Sequence, residues 1–385
     1  MVVNRKIETL RDALASQRDA GALPCASRRK FLGALLCAGA GFALRGTFLD
    51  AQSEAAARRI DVHHHFVPDE YLAFAKSHMS AVGRAMQWTL AKDLEDMDQS
   101  GTATAILSIT TPGFGFGTVD EVRKVVRECN DAAAKLAADH PGRFGSFAAL
   151  PMTDTEGALA EIAYALDMLK ADGLGVFSSY GEKWLGHASF VPIYEELNRR
   201  KAVVFIHPTT PICCQNLSLI QDGVPNEGPM IEYGTDTTRA IADLIFSGTT
   251  RRFPDITWIC SHGGGVMPYI IERFFQSGAS AEVVPGVITK GQDFPLSPTL
   301  PKGEEMLHEL RKMYYDTAQS SNPVAMGALR KVVPVSQIVF GTDYWYRTAA
   351  ETHRALEAGK VFSAQELLAI GRINAERILP RYRGA

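Results

Sequence analysis

The chain lacks an excess of either charge. Its 40 basic residues nearly balance 43 acidic ones, giving a formal net charge of −3. That balance argues against a nucleic acid or an anionic membrane surface held by bulk charge. Long apolar runs are missing from the body of the chain, so no segment there reads as a bilayer span. Cysteine is sparse, with six in all. Cys25 and Cys37 fall near the N-terminus, and Cys129, Cys213, Cys214 and Cys260 show no CxxC spacing, which excludes a zinc ribbon. They offer no disulfide framework, and a domain of this size does not need one. Adjacent Cys213 and Cys214 would bridge only under strain, and Cys260 lies in an apolar run that reads as core. No glycine-rich dinucleotide fingerprint opens a helix, and no internal repeat or low-complexity tract occurs.

What remains is an ordinary globular composition, 46% hydrophobic and 22% charged over 385 residues, with ample material for a core. Residues 1–57 stand apart. Ser27-Arg28-Arg29-Lys30-Phe31-Leu32 precedes a short stretch of Gly, Ala, Leu, Cys and Phe from Gly33 to Leu44. Positive charge ahead of a modest apolar segment is the chemistry of an export signal, and the apolar part is too short for a stable span. The paired arginines resemble a twin-arginine signal, which implies a periplasmic destination. Cleavage is expected near Leu49-Asp50-Ala51 or Ala55-Ala56-Ala57. Residues 58–385 then form one mature domain.

Within that domain, apolar runs alternate with amphipathic stretches. The runs are Ile60–Phe66, Ala103–Ile109, Phe144–Leu150, Leu174–Phe177, Ala202–His207, Ile256–His262, Met313–Thr317 and Gln337–Gly341. Helix-like segments between them include Val119–Asp139, Thr155–Leu169, Phe190–Lys201, Thr237–Ser247 and Pro323–Val332, and Ala364–Leu379 closes the chain. Short apolar runs separated by helices read as parallel strands in βαβ units. Eight such units predict a TIM-like (β/α)8 barrel. Asn216 to Met230 and Glu282 to Lys302 read as long loops.

Polar residues recur at the ends of these runs. In Asp61-Val62-His63-His64-His65, strand alternation sends Asp61, His63 and His65 to one face and His64 to the other. His207 ends the fifth run, His262 the sixth, and Asp343 follows the eighth. Barrel active sites are built at these C-terminal strand ends. Imidazoles and a carboxylate gathered there suit zinc or another borderline divalent ion. His78, His140, His187, His308 and His353 show no such pattern and read as surface or structural residues.

Asp61-Val62-His63-His64-His65, His207-Pro208-Thr209, Ser261-His262-Gly263-Gly264-Gly265, Tyr315-Asp316-Thr317-Ala318 and Phe340-Gly341-Thr342-Asp343-Tyr344 together resemble the amidohydrolase superfamily. The likeness is to its amidohydrolase-related branch, which includes aminocarboxymuconate semialdehyde decarboxylase and aromatic hydroxy-acid decarboxylases. His-His-His-Phe-Val-Pro at 63–68 is also similar to 6-methylsalicylate decarboxylases. The resemblance implies one metal ion, zinc or manganese, on His63, His65, His207 and Asp343, with His262 as the acid/base residue. The fourth strand end reads Val176-Phe177-Ser178-Ser179-Tyr180 and has no lysine to bridge a second metal. Arg273, eleven residues after His262, matches an arginine that the semialdehyde decarboxylase lends to its neighbour's site. A homodimer with shared sites is therefore expected.

Such a centre serves two chemistries. A decarboxylase of a small hydroxylated aromatic or unsaturated acid delivers a proton to the carbon bearing the carboxylate, from Asp343 or a metal-bound water assisted by His262. A hydrolase of a lactone, ester or amide uses the same ligands to activate water. Thr110-Thr111-Pro112-Gly113-Phe114-Gly115-Phe116 and Tyr344-Trp345-Tyr346 place hydroxyls and rings near the barrel mouth. Thr110 and Phe114 are the substrate contacts expected from them. Arg273 and Arg347 are candidate carboxylate binders.

Overall fold

The computed structural model describes residues 58–78, 88–214, 230–274 and 303–384. The expected export signal within residues 1–57 and most of the two expected long loops lie outside them. Seven parallel strands are paired in chain order: β1 (Arg59–His65), β2 (Thr102–Ser108), β3 (Phe144–Ala149), β4 (Gly173–Phe177), β5 (Val203–His207), β6 (Thr257–Cys260) and β7 (Tyr314–Tyr315). Their residues are buried almost throughout, as expected for a parallel sheet covered on both faces. A small hairpin of Ser179–Tyr180 and Lys183–Trp184 forms a separate two-stranded sheet.

The eighth run closes the ring without becoming a regular strand. Ile338 bridges to Tyr315, and His64 to Tyr344. Val339 N donates to Tyr315 O at 2.9 Å, Val62 N donates to Phe340 O at 3.0 Å, and Asp343 N donates to His63 O at 2.8 Å. Two features limit regular pairing there. Asp343 takes a left-handed φ of 64°, and the backbone at Gly341 runs against its neighbours. A Cβ on Gly341 would lie 2.8 Å from the Cβ atoms of both Asp316 and His63, so only glycine lets the closing segment approach.

Ile60, Val62, Ile106, Phe147, Phe205, Ile259 and Val339 form one buried cluster drawn from most of the staves. A larger cluster fills the layer between sheet and helices. The helices Val119–Asp139 and Pro323–Val332 have the bounds expected from sequence. The first begins at a Thr118/Glu121 capping box, and the second has Asn322 as cap with Pro323 in its first turn. The helix expected from Thr237 starts at Glu232. No helix among the described residues is long and apolar enough to cross a membrane.

Candidate metal centre

β1 is where the simple alternation fails. Its pairing with β2 slips between Asp61 and His64. Ile60 and Val62 belong to the interior cluster, and after the slip His63 and His65 face the centre of the barrel mouth. Asp61 therefore does not share their face. It accepts from Thr342 N at 3.1 Å and Thr342 Oγ1 at 2.6 Å, and meets Nδ1 of His64 at 3.0 Å. A slip of one residue exchanges faces, which is why strict alternation misplaced Asp61.

The other expected groups converge. Nε2 of His63 lies 3.2 Å from Asp343 Oδ1, and Nε2 of His65 lies 2.9 Å from it. The two Nε2 atoms are 3.1 Å apart, and Nε2 of His207 is 3.9 Å from the same oxygen. Ligand atoms of His63, His207, His262 and Asp343 all fall within 4.8 Å of one another. His262 presents Nε2 to the other oxygen, Asp343 Oδ2, at 3.3 Å.

The far side of each ring explains this orientation. Nδ1 of His63 meets Asp316 Oδ2 at 2.6 Å, Nδ1 of His65 donates to Ser108 O at 3.2 Å, and Nδ1 of His207 donates to Pro208 O at 2.7 Å. An imidazole whose Nδ1–H is held by an oxygen turns its Nε2 lone pair the other way. Three lone pairs and an anionic oxygen then face one another in a water-poor space, which calls for a cation. Asp343 Oδ1 is buried and makes no hydrogen bond of proper geometry despite these close approaches. Arms of about 2.0–2.1 Å to a tetrahedral ion put ligand atoms roughly 3.3 Å apart. The separations around Asp343 Oδ1 match that spacing, so the residues fit a divalent metal.

The ionisation of these groups follows from burial and neighbours. Burial pushes His207 down to about 3 and lowers His65, which keeps both rings neutral, as metal ligands must be. Burial also opposes charge on His63, but Asp316 and Asp343 outweigh it and raise that ring to about 10. Burial disfavours the Asp343 carboxylate, yet the surrounding imidazoles hold it well below the usual range.

Two groups with important contacts carried no expected role. Asp316, at the end of β7, meets His63 and accepts from His262 N at 2.7 Å. Gln319 donates through its amide to Asp343 Oδ2. Asp316 sits at a C-terminal strand end like the histidines, and that position was its available signal.

A cavity of about 370 Å³ opens beside the centre, with Thr110, His207, Tyr233, His262, Gln319, Asp343 and Tyr346 in its walls. Thr110 is thus a wall residue of this cavity. Phe114 is not. Its ring packs on Tyr71 and roofs a separate small pocket beside His207. Arg273 and Arg347 are exposed and line neither space, so neither reaches this chain's own cavity. Tyr344 stacks on His64, and Trp345 stacks on Tyr346. Cys213 and Cys214 are unbridged, and Cys129 and Cys260 are buried.

The amidohydrolase family model matches residues 60–381. The decarboxylase yanB of Aspergillus niger is 38% identical over 84% of this chain and 88% of its own length. The 6-methylsalicylic acid decarboxylase of Penicillium expansum is 38% identical over 74% of this chain and 84% of its own. The 5-carboxyvanillate decarboxylase of Novosphingobium aromaticivorans was solved with manganese and 4-hydroxy-3-methoxy-5-nitrobenzoic acid. It superposes with a TM-score of 0.70 at 21% identity, over 84% of this chain and 96% of that one. Histidines and an aspartate at the strand ends of a closed parallel barrel are thus joined by a match across nearly the whole described domain, and the chain belongs to the amidohydrolase family.

Proposed function

We propose that the protein is a metal-dependent carboxy-lyase acting on a small hydroxylated aromatic acid such as 6-methylsalicylate. The observation that carries this reading is the convergence of the imidazoles of His63, His65 and His207 on Asp343 beside a cavity of about 370 Å³. The two relatives at 38% identity, both decarboxylases, support the choice of lyase over hydrolase. Three imidazole nitrogens and one carboxylate favour zinc, and the manganese of the Novosphingobium structure makes that ion the alternative.

A bound divalent ion would supply a chelating centre for the substrate carboxylate and its neighbouring hydroxyl oxygen. His63, His65, His207 and Asp343 would hold that ion. Tyr233 and Tyr346 offer aromatic walls for a planar ring. Asp343 and His262 handle the proton. Their 3.3 Å contact lets a proton pass between Nε2 and Oδ2, and the Gln319 amide fixes Oδ2 in place. Protonation of the ring carbon bearing the carboxylate is followed by C–C cleavage. The electron pair returns to the ring, CO2 leaves, and a hydrogen stands in its place.

Protein stripped by a chelator and reloaded with zinc or manganese should convert 6-methylsalicylate to 3-methylphenol and CO2. The stripped form should fall to background. Ester or lactone hydrolysis without CO2 from any hydroxybenzoate would overturn the proposal.

We further propose that residues 1–57 direct export to the periplasm. Arg28-Arg29-Lys30-Phe31-Leu32 and the short apolar stretch behind it support this. Replacing both arginines, Arg28→Lys with Arg29→Lys, should leave the protein in the cytoplasmic fraction. An unchanged periplasmic share would rule the signal out.

A further inference from the structure

Asp236 is a fully buried acid that the chemistry above does not use. It lies in the helix Glu232–Phe246 and meets the end of β4, where Ser178 and Ser179 stand. Its Oδ2 accepts from the hydroxyl of Ser178 and from that of Ser179 at 3.1 Å. Its Oδ1 accepts from Trp184 Nε1 at 2.7 Å, and Arg239 Nη1 stands 3.9 Å away, shared with Glu232. Indole N–H can only donate, and the Ser178 oxygen is itself occupied as an acceptor by Thr209 N at 3.0 Å, so its own proton goes to Asp236. Donors thus face both carboxyl oxygens, which suits the ionised acid. Burial pushes the carboxyl above its ordinary value, against the pull of these donors and of Arg239. An anion enclosed in this way costs free energy, and pinning a two-stranded hairpin does not require a charge.

The contact with Thr209 gives the charge a destination. The N–H of Thr209 and the carbonyl of Pro208 belong to one peptide unit, and that carbonyl takes Nδ1–H of His207 at 2.7 Å. Ser178 N also donates to His207 O at 2.8 Å, which locks the ends of β4 and β5 together. A continuous run of hydrogen bonds therefore leads from Asp236 through Ser178 and across one peptide to the ring whose Nε2 faces Asp343. Asp236, Ser178 and His207 are each at most 3% exposed. Hydrogen bonds in such a chain polarise one another, and more strongly where water is absent. An anion acting on the N–H end of an amide leaves more negative charge on its oxygen. That oxygen then holds the Nδ1 proton harder, which fixes the ring and makes Nε2 the better metal ligand.

We propose that Asp236 is a positioning residue for the metal centre, acting through Ser178 and the Pro208–Thr209 peptide to orient His207 and strengthen it as a ligand. The inference rests on the reading of His207 as a metal ligand. Trp184, on the other carboxyl oxygen, stands outside this line.

Zinc titration of chelator-stripped protein tests the proposal, with proton NMR of His207 Nδ1–H in the metal-free protein as a second readout. Asp236→Asn keeps the shape and removes the charge. It should raise the zinc dissociation constant about tenfold, the lower end of what outer partners of a ligand contribute, and move the Nδ1 proton upfield. Ser178→Ala leaves the acid in place and should do the same. The double variant should be no worse than either single one, because both cut one line. Trp184→Phe removes a different donor to Asp236 and spares the line, so its zinc affinity should match the parent's. Unchanged zinc affinity in Asp236→Asn or Ser178→Ala, additive losses in the double variant, or an equal loss in Trp184→Phe would overturn the proposal. No zinc uptake by the parent protein would sink the metal reading instead, and the Nδ1 proton would still decide whether Asp236 acts on His207.

Discussion

Asp343→Asn should lower turnover by about a thousandfold at saturating metal while leaving the fold intact. Positioned acid–base groups contribute roughly 10²–10⁴ in rate, and Asp343 does more than exchange a proton. Its Oδ1 faces the Nε2 atoms of His63, His65 and His207, and its Oδ2 meets His262 and Gln319. An amide keeps the shape but replaces one anionic acceptor with a donor. Placed toward Gln319, the new NH2 meets another NH2. Placed toward the histidines, it removes the charge that offsets the cation. Both rotamers are unfavourable, so the loss belongs to the chemistry and not to a choice of orientation. Metal titration followed by single-turnover kinetics separates weaker ion binding from a slower chemical step. Circular dichroism should be unchanged, because the interior cluster of Ile60, Val62, Phe147 and Phe205 is untouched. Near-normal turnover at saturating metal would remove Asp343 from the mechanism.

The legible part of this site was the part written in strand ends. His63, His65, His207, His262 and Asp343 could be grouped because each closes an apolar run, and a parallel barrel delivers all such ends to one face. Helix bounds were legible where local chemistry fixes them, as at Thr118/Glu121 and Asn322-Pro323. What stayed hidden depends on partners far apart in sequence. The slip in β1 is set by pairing with β2 and the closing segment, and no local rule reveals it. Asp316 is tied to His63 across 253 residues. Gln319 lies in no periodic run. Phe114 finds its place, packed on Tyr71 and away from the metal-side cavity, only when the elements around the barrel mouth come together. The eighth stave was recognisable by its apolar residues, but its irregular pairing follows from contacts that Gly341 makes with Asp316 and His63.

The largest stability effect is expected behind the metal centre, at His64. Its ring is fully enclosed, with Nδ1 3.0 Å from Asp61 Oδ2 and Nε2 2.8 Å from Asp93 Oδ1. One flat face stacks on Tyr344 at 4.5 Å. Burial opposes its charge, but Asp93 and Asp61 outweigh that and raise the ring to about 10. It is therefore an imidazolium between two buried carboxylates at neutral pH. Asp93 also accepts from Trp88 Nε1, and Asp61 holds the backbone and hydroxyl of Thr342, next to Asp343. His64→Ala would leave both acids without their counter-charge, and breaking a buried pair in this way costs about 3–5 kcal/mol. Denaturant unfolding of metal-free protein measures it, and the slackened Thr342 should also weaken metal binding. The sign with pH follows from linkage. A ring raised from 6.5 to about 10 on folding stabilises fully below pH 6.5, and that stabilisation fades as pH rises through about 10. The gap between the parent protein and His64→Gln should therefore shrink across that window. A gap under about 1 kcal/mol, the scale of an exposed ion pair, or one that does not change between pH 6.5 and 10, would show that His64 is merely packed there and not clamped as a cation.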